Sequence, residues 1–201
     1  MADHKDIFSK IYQNKTWSIF SLYPLSGSGS TINNTILYRE LLTKFIKDNN
    51  IKSVIDFGCG DWSFSKEINW EGINYLGIDV VPSVIEENKK RYSKDNIKFI
   101  CKNLFQPNNE ISLNDLKAEL WIIKDVLQHW SNDDISKFLN QLIKQKCFKY
   151  ILLTNSYTNG KNIDIKSGEF RSLNPNEYPL NVYKPKVIGF ENKKAICLIT
   201  Y

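Results

Sequence analysis

Apolar side chains at Ile32, Ile36, Leu37, Leu41, Leu42, Phe45 and Ile46 recur at helical spacing, which predicts an amphipathic helix from Thr31 to about Lys47. Ser53 to Phe57 is a short apolar run closed by glycines and reads as a buried strand. Strand and helix signals then alternate: a strand over Asn74–Val80, a helix over Pro82–Tyr92 with proline in its first turn, strands over Ile97–Cys101 and Leu120–Lys124. A further helix is expected from Ser131, a capping residue, with Asp133 and Asp134 in its first turn. Its apolar face is Ile135, Phe138, Leu139, Leu142 and Ile143, and Lys144 and Lys146 complement its end. Tyr150–Thr154 follows as a strand. Such alternation implies parallel pairing with right-handed crossovers, an α/β doubly wound sheet. The chain closes with two strands, Val187–Phe190 and Ala195–Thr200, joined by four polar residues, so the last strand should run antiparallel. Residues 155–186 show little periodicity and suggest a substrate loop or lid.

Composition narrows the class. With 201 residues, about 70 % of the unfolded chain's surface can be buried, enough for one full core. The 42 % hydrophobic and 24 % charged content excludes a mainly disordered chain. No apolar run is long enough for a membrane span, and the first thirty residues hold no signal-peptide core, so no membrane association and a cytoplasmic location are expected. The net charge of +5 is carried by lysines spread along the chain, with arginine only at Arg39, Arg91 and Arg171, which argues against a nucleic-acid partner. Cys59, Cys101, Cys147 and Cys197 have no zinc-like spacing; free thiols and no metal are expected. His4 is expected to lie in a fraying tail.

Candidate chemistry starts at Val54-Ile55-Asp56-Phe57-Gly58-Cys59-Gly60-Asp61. A strand ending in D-x-G-x-G puts glycines where backbone approaches a ligand, and a helix is expected to follow. A glycine turn with no ligand is the competing reading. Asp79 ends the second strand, placed to accept both hydroxyls of a ribose, and Asn103-Leu104 follows the third, placed to contact an adenine. A nicotinamide dehydrogenase is disfavoured, because its fingerprint needs glycine where Ser63 stands. Trp62 and Trp121 read as core, whereas Tyr12, Trp17 and Trp130 are candidates for flat walls against a ligand.

These motifs resemble the class I S-adenosylmethionine-dependent methyltransferases over nearly the whole chain. V-I-D-F-G-C-G-D looks like the first motif, G-I-D-V the second, and W-I-I-K-D-V-L-Q-H-W the fourth-strand motif. The resemblance implies a Rossmann-like seven-stranded sheet of order 3-2-1-4-5-7-6 with strand 7 antiparallel and helices on both faces. It implies S-adenosylmethionine as cofactor and S-adenosylhomocysteine as product. The segments F-S-K-I-Y-Q-N-K-T-W and S-G-S-G-S-T, with Asp164 and R-S-L-N at 171–174, resemble a subgroup of small methyltransferases, some tied to glycans. Residues 1–30 would then cap the cofactor site of a single domain spanning 31–201. The implied cofactor-binding set is Trp17, Ser28, Gly29, Ser30, Arg39, Asp56, Gly58, Gly60, Asp79, Val80, Asn103, Leu104, Lys124 and Asp125. An acidic residue is common in the family at the place of Asn103. No [DN]-P-P-[YFW] follows the fourth strand, which disfavours base-amine methylation. The expected reaction is O-methylation of a sugar, glycan or small-metabolite hydroxyl. RNA ribose methylation and a catalytically silent cofactor-binding subunit are the alternatives, and the oligomeric state stays open. His129 and Asp125 are the two candidate bases, and a packing role for His129 stands beside them.

Overall fold

The computed structural model describes residues 3–18, 24–104, 113 and 115–200. The chain forms two compact units, Met1–Asn103 and Leu104–Tyr201. Seven strands, β1 (Ser53–Phe57), β2 (Asn74–Asp79), β3 (Ile97–Cys101), β4 (Leu120–Lys124), β5 (Tyr150–Ser156), β6 (Lys186–Glu191) and β7 (Lys194–Thr200), form one sheet. Its order is β3-β2-β1-β4-β5-β7-β6. Pairing is parallel in β1–β2, β2–β3 and β4–β5, and antiparallel where β7 joins β5 and β6. The expected fold class is therefore the observed one, a Rossmann-like doubly wound sheet with strand 7 reversed.

In the first unit, α2 (Ile36–Asp48) is shorter than the periodicity predicts, because a 3₁₀ turn over Asn33–Thr35 takes up its start. α3 (Pro82–Tyr92) begins at its proline as expected. Two expectations are corrected. The tail around His4 is ordered: α1 (His4–Gln13) starts there, Asp3 caps it through Lys5 N–H, and His4 is buried with its ring edge-on to Phe8. No α-helix follows the glycine turn either. Gly58, Gly60 and Trp62 all adopt positive φ (73°, 54° and 56°), a left-handed alternation that cannot start a helix, and only a 3₁₀ turn over Ser65–Glu67 forms.

Trp62 is held in that conformation by the core. Its indole N–H donates to Tyr75 Oη at 2.8 Å, and its ring lies 5.4 Å from Phe99 and 5.6 Å from Tyr75. Tyr75 in turn donates to the buried carboxylate of Asp56.

The second unit is built around β4, buried at every position, and around α4 (Asn132–Gln145). α4 lays Ile135, Phe138, Leu139 and Leu142 into the core with Trp121. Trp121 N–H donates to the Cys147 carbonyl at 3.1 Å, so Trp62 and Trp121 are core residues as expected. Trp130 is buried edge-on to Phe138, 5.3 Å away, which corrects its assignment to a ligand wall. No helix among the described residues is long and apolar enough to cross a membrane. Ser131 Oγ accepts from Asp134 N–H at 3.1 Å and caps α4. Ser131→Ala should therefore lower stability by about 1 kcal/mol, read as a shift in the urea midpoint at unchanged slope.

Candidate active site

The glycine turn of the first unit is organised by Asp79. Its Oδ2 accepts from Gly60 N–H at 3.0 Å and its Oδ1 from Val81 N–H at 3.1 Å, so one carboxylate ties the turn after β1 to the start of α3. Asn88 donates to the Gly60 carbonyl at 2.7 Å. Burial pushes the Asp79 pKa up, and the Val81 and Gly60 N–H groups only partly offset this.

The opening segment lies on the turn. Ser26 Oγ accepts from Asp61 N–H at 2.9 Å, Ser26 N–H donates to Asp61 Oδ2 at 3.2 Å, and the Tyr12 hydroxyl bonds Ser26 Oγ at 2.9 Å. A Cβ on Gly60 would meet Ser26 Oγ at 2.2 Å, so glycine is required at 60 by the overlying segment as well as by its φ. Ser63, at the place of a third glycine, donates to the Ser30 carbonyl at 2.9 Å. Burial and then the Asp79 charge push the Tyr12 phenol well up.

The other expected cofactor residues of this unit are placed variously. Trp17 packs edge-on to Tyr12 at 5.5 Å. Ser28, Gly29 and Ser30 form a 3₁₀ turn whose Ser30 N–H is engaged by the Gly27 carbonyl. Arg39 donates to the Ile32 carbonyl at 3.1 Å and lines a groove with Ile36, Glu40 and Glu67. Asp56 accepts from Tyr75 and, at 3.4 Å, from Ser65, so it braces the aromatic core. Asn103 donates to Asp3 at the start of α1, and Val80 is half-buried. Cys59 is buried, and desolvation with Asp79 and Asp56 keeps its thiol protonated. Cys147 and Cys197 are also buried, whereas Cys101, paired in register with Asp79, is exposed.

In the second unit Leu104 is buried, and β4 delivers Lys124 and Asp125. Asp125 has φ +59° and donates its N–H to the Thr154 carbonyl at 2.7 Å. Its Oδ2 accepts from Lys124 at 2.6 Å and also from Lys194. Burial raises the Asp125 pKa, but the two ammonium groups outweigh it and bring the carboxyl below the usual range. Asp125 is thus held as a carboxylate and is a poor proton acceptor. The lysine at 194 escaped the sequence reading. The available signal was the reversed last strand, whose first residue must lie at the carboxyl end of β5, and the structure pairs Lys194 with Ser156 there.

His129 ends a 3₁₀ turn (Leu127–His129) and is buried. Its Nδ1 lies 2.9 Å from the Glu169 carbonyl, an acceptor, so Nδ1 carries the hydrogen and Nε2 keeps its lone pair. Gln128 Oε1 accepts from Ser156 N–H at 2.7 Å, which turns the Gln128 amide nitrogen toward His129 Nε2 across a long 3.4 Å contact. Burial lowers the His129 pKa from 6.5, against the Glu169 hydrogen bond and the Asp125 charge, so the ring is neutral at pH 7. Phe170, 59 % exposed, stands with its ring 5.7 Å from the imidazole.

The segment after β5 has no helix or strand over residues 157–180, yet it is fastened. Arg171 donates to the carbonyls of Ile163 and Trp130, Gly168 N–H to His129, and Asp164 accepts from Asn132 N–H at the start of α4. Asn174 binds Gly160 and Asn162. Asp164, Arg171 and Asn174 thus fasten the loop that presents Glu169 to His129. Among the described residues no group of three or more His, Cys, Asp or Glu is placed to hold a metal ion.

Comparison with known proteins adds a sequence match and a fold match. Residues 54–145 match the profile of the family described as "Methyltransferase domain". Phosphoethanolamine N-methyltransferase 1 of Triticum aestivum is 23 % identical over 95 residues, 46 % of this chain, which spans only 19 % of that enzyme's length. Magnesium protoporphyrin IX methyltransferase of Synechocystis PCC 6803, solved with bound S-adenosylhomocysteine, superposes with a TM-score of 0.62. It shares 14 % identity, covering 98 % of this chain and 99 % of that one. An O-methyltransferase family protein from Burkholderia thailandensis gives a TM-score of 0.61 at 12 % identity, covering 83 % of this chain and 55 % of that one. Residues 54–145 are thus similar to the methyltransferase-domain family, and the sheet order and the superpositions give the chain the fold of these methyltransferases.

Proposed function

We propose that the protein is an S-adenosylmethionine-dependent methyltransferase acting on a hydroxyl oxygen of a sugar, glycan or small metabolite. The observation that carries this reading is the fixed tautomer of His129, a buried neutral imidazole with its hydrogen on Nδ1, held by the Glu169 carbonyl, and its basic lone pair on Nε2, facing the Gln128 amide. S-adenosylmethionine, when bound, supplies an activated methyl group. The first unit suits its nucleoside: the Asp79 carboxylate, held by backbone N–H groups at the end of β2, is an acceptor for ribose hydroxyls. Tyr12, Ser26 and Asp61 cover the glycine turn.

In the second unit His129 Nε2 takes the hydroxyl proton, displacing the long Gln128 contact. The Glu169 carbonyl holds the ring's orientation. Phe170 offers the acceptor a flat apolar face. Holding the acceptor in line can contribute about 7–11 kcal/mol, and a base at the hydroxyl roughly 10²–10⁴-fold in rate. The Lys194 charge, felt by the His129 ring, disfavours a cationic amine acceptor.

Asp79→Ala should weaken S-adenosylhomocysteine binding by about 1.5–3 kcal/mol, measured by calorimetry on protein whose near-UV spectrum is native. Unchanged affinity would remove Asp79 from the nucleoside site.

His129→Ala should lower kcat by roughly 10²–10⁴-fold with cofactor affinity nearly unchanged. A neutral His129 is the active form, so the wild-type rate should be flat at pH 7 and above and fall on acidification below 6.5. The same depressed pKa stabilises the fold above 6.5 and is lost as pH falls through the folded-state value, so wild-type melting temperature should drop there and that drop should shrink in His129→Ala. A variant with altered melting but intact kcat would assign His129 to packing alone. A silent binding protein would bind S-adenosylhomocysteine yet release none when supplied with S-adenosylmethionine and pooled nucleotide-sugars, glycans and RNA.

A further inference from the structure

Lys194 has a place in the structure that proton transfer leaves unexplained. Lys124 and Lys194 converge on Oδ2 of Asp125, while Asp125 Oδ1 is buried with no hydrogen-bond partner. A structural ion pair needs one ammonium; a second one on the same oxygen adds repulsion. Burial and the Lys124 charge push the Lys194 pKa down by more than Asp125 restores. Two ammonium groups on one carboxylate leave the partly desolvated cluster with a net positive charge that a second anion would balance.

A second unmet group lies on the same face. β4 pairs Lys124 with Thr154, β7 pairs Lys194 with Ser156, and Thr154 and Ser156 are two apart on β5. The register therefore puts Thr154 between the two lysines on one face of the sheet. Its hydroxyl is buried and has no partner. The Lys194 and Asp125 side chains stay 12 % and 18 % exposed, so the cluster reaches solvent. Both charges are felt by the His129 ring.

Building on the methyl-transfer reading above, we propose that Lys194, with the Thr154 hydroxyl, receives an anionic group of the acceptor, a carboxylate or a phosphate. The acceptor is then a negatively charged hydroxyl compound. A hydroxyl adjoining the anion can donate to Asp125 Oδ1, so the set of unmet groups is complementary to an acidic or phosphorylated polyol.

The test is a calorimetric titration with sodium phosphate and, separately, sodium acetate, at constant ionic strength. It compares wild type, Lys194→Met, Thr154→Val and Lys161→Met, the last at an exposed lysine. Wild type and Lys161→Met should bind alike, and Lys194→Met should bind about tenfold more weakly or worse, as expected for one charge-assisted hydrogen bond. Thr154→Val should lose less, and because it removes no charge it reports on the site should Lys194→Met fail to fold. Tighter phosphate than acetate binding would assign a phosphate-bearing acceptor, and the reverse a carboxylate. No saturable binding to wild type, or equal binding to wild type and both site variants, would overturn the proposal and leave an ion-pair network only. S-adenosylhomocysteine titrated into the same wild-type sample separates the two ideas: its failure to bind would remove the methyl-transfer reading without touching the anion result.

Discussion

Two backbone N–H groups from different elements meet on the buried carboxylate of Asp79, and the geometry of the first unit's glycine turn follows from that meeting. A carboxylate this deep must be satisfied, and the nearest donors are the amides of Gly60 and Val81. Accepting from Gly60 fixes the turn in its left-handed path and sets the Gly60 carbonyl toward Asn88. With the turn fixed, Ser26 can approach closely enough that any side chain at 60 would collide with it. The opening segment, the turn and α3 are thereby tied to one side chain.

The second unit solves a different electrostatic problem. Its strands are apolar along their length, and polarity returns at the carboxyl end of β4 as Lys124 and Asp125. The antiparallel β7 brings Lys194 to the same end. One carboxylate between two lysines stays ionised, whereas burial holds the neighbouring histidine neutral. The loop that holds Glu169 against His129 is in turn fixed by Arg171, whose guanidinium bridges two carbonyls distant in sequence.

The elements that could be read from sequence are those whose signals are local. Pro82 opens α3 and Ser131 caps α4 because each acts on its own first turn. The strands stood out because a sheet covered on both faces needs unbroken apolar runs. What escaped depends on partners far along the chain. α1 is ordered by contacts such as Phe8 on Trp17 and Asp3 on Asn103, neither visible as periodicity. The helix expected after the glycine turn is absent because Trp62 is anchored by Tyr75 thirteen positions away. Asp79 was legible from its place at a strand end, whereas Lys194 required knowing which way the last strand runs.

The distribution of thiols has a practical consequence. Cys59, Cys147 and Cys197 are buried with their thiols pushed toward the protonated form, the last to about 11. The Cys101 thiol is raised as well, by partial burial and the Asp79 charge, but it is exposed at the end of β3, directly across from Asp79. Maleimide chemistry on the native protein should therefore mark this one position, with no cysteine removed by mutation. A fluorophore there would sit beside the carboxylate that organises the turn, and so would report optically on the state of that turn.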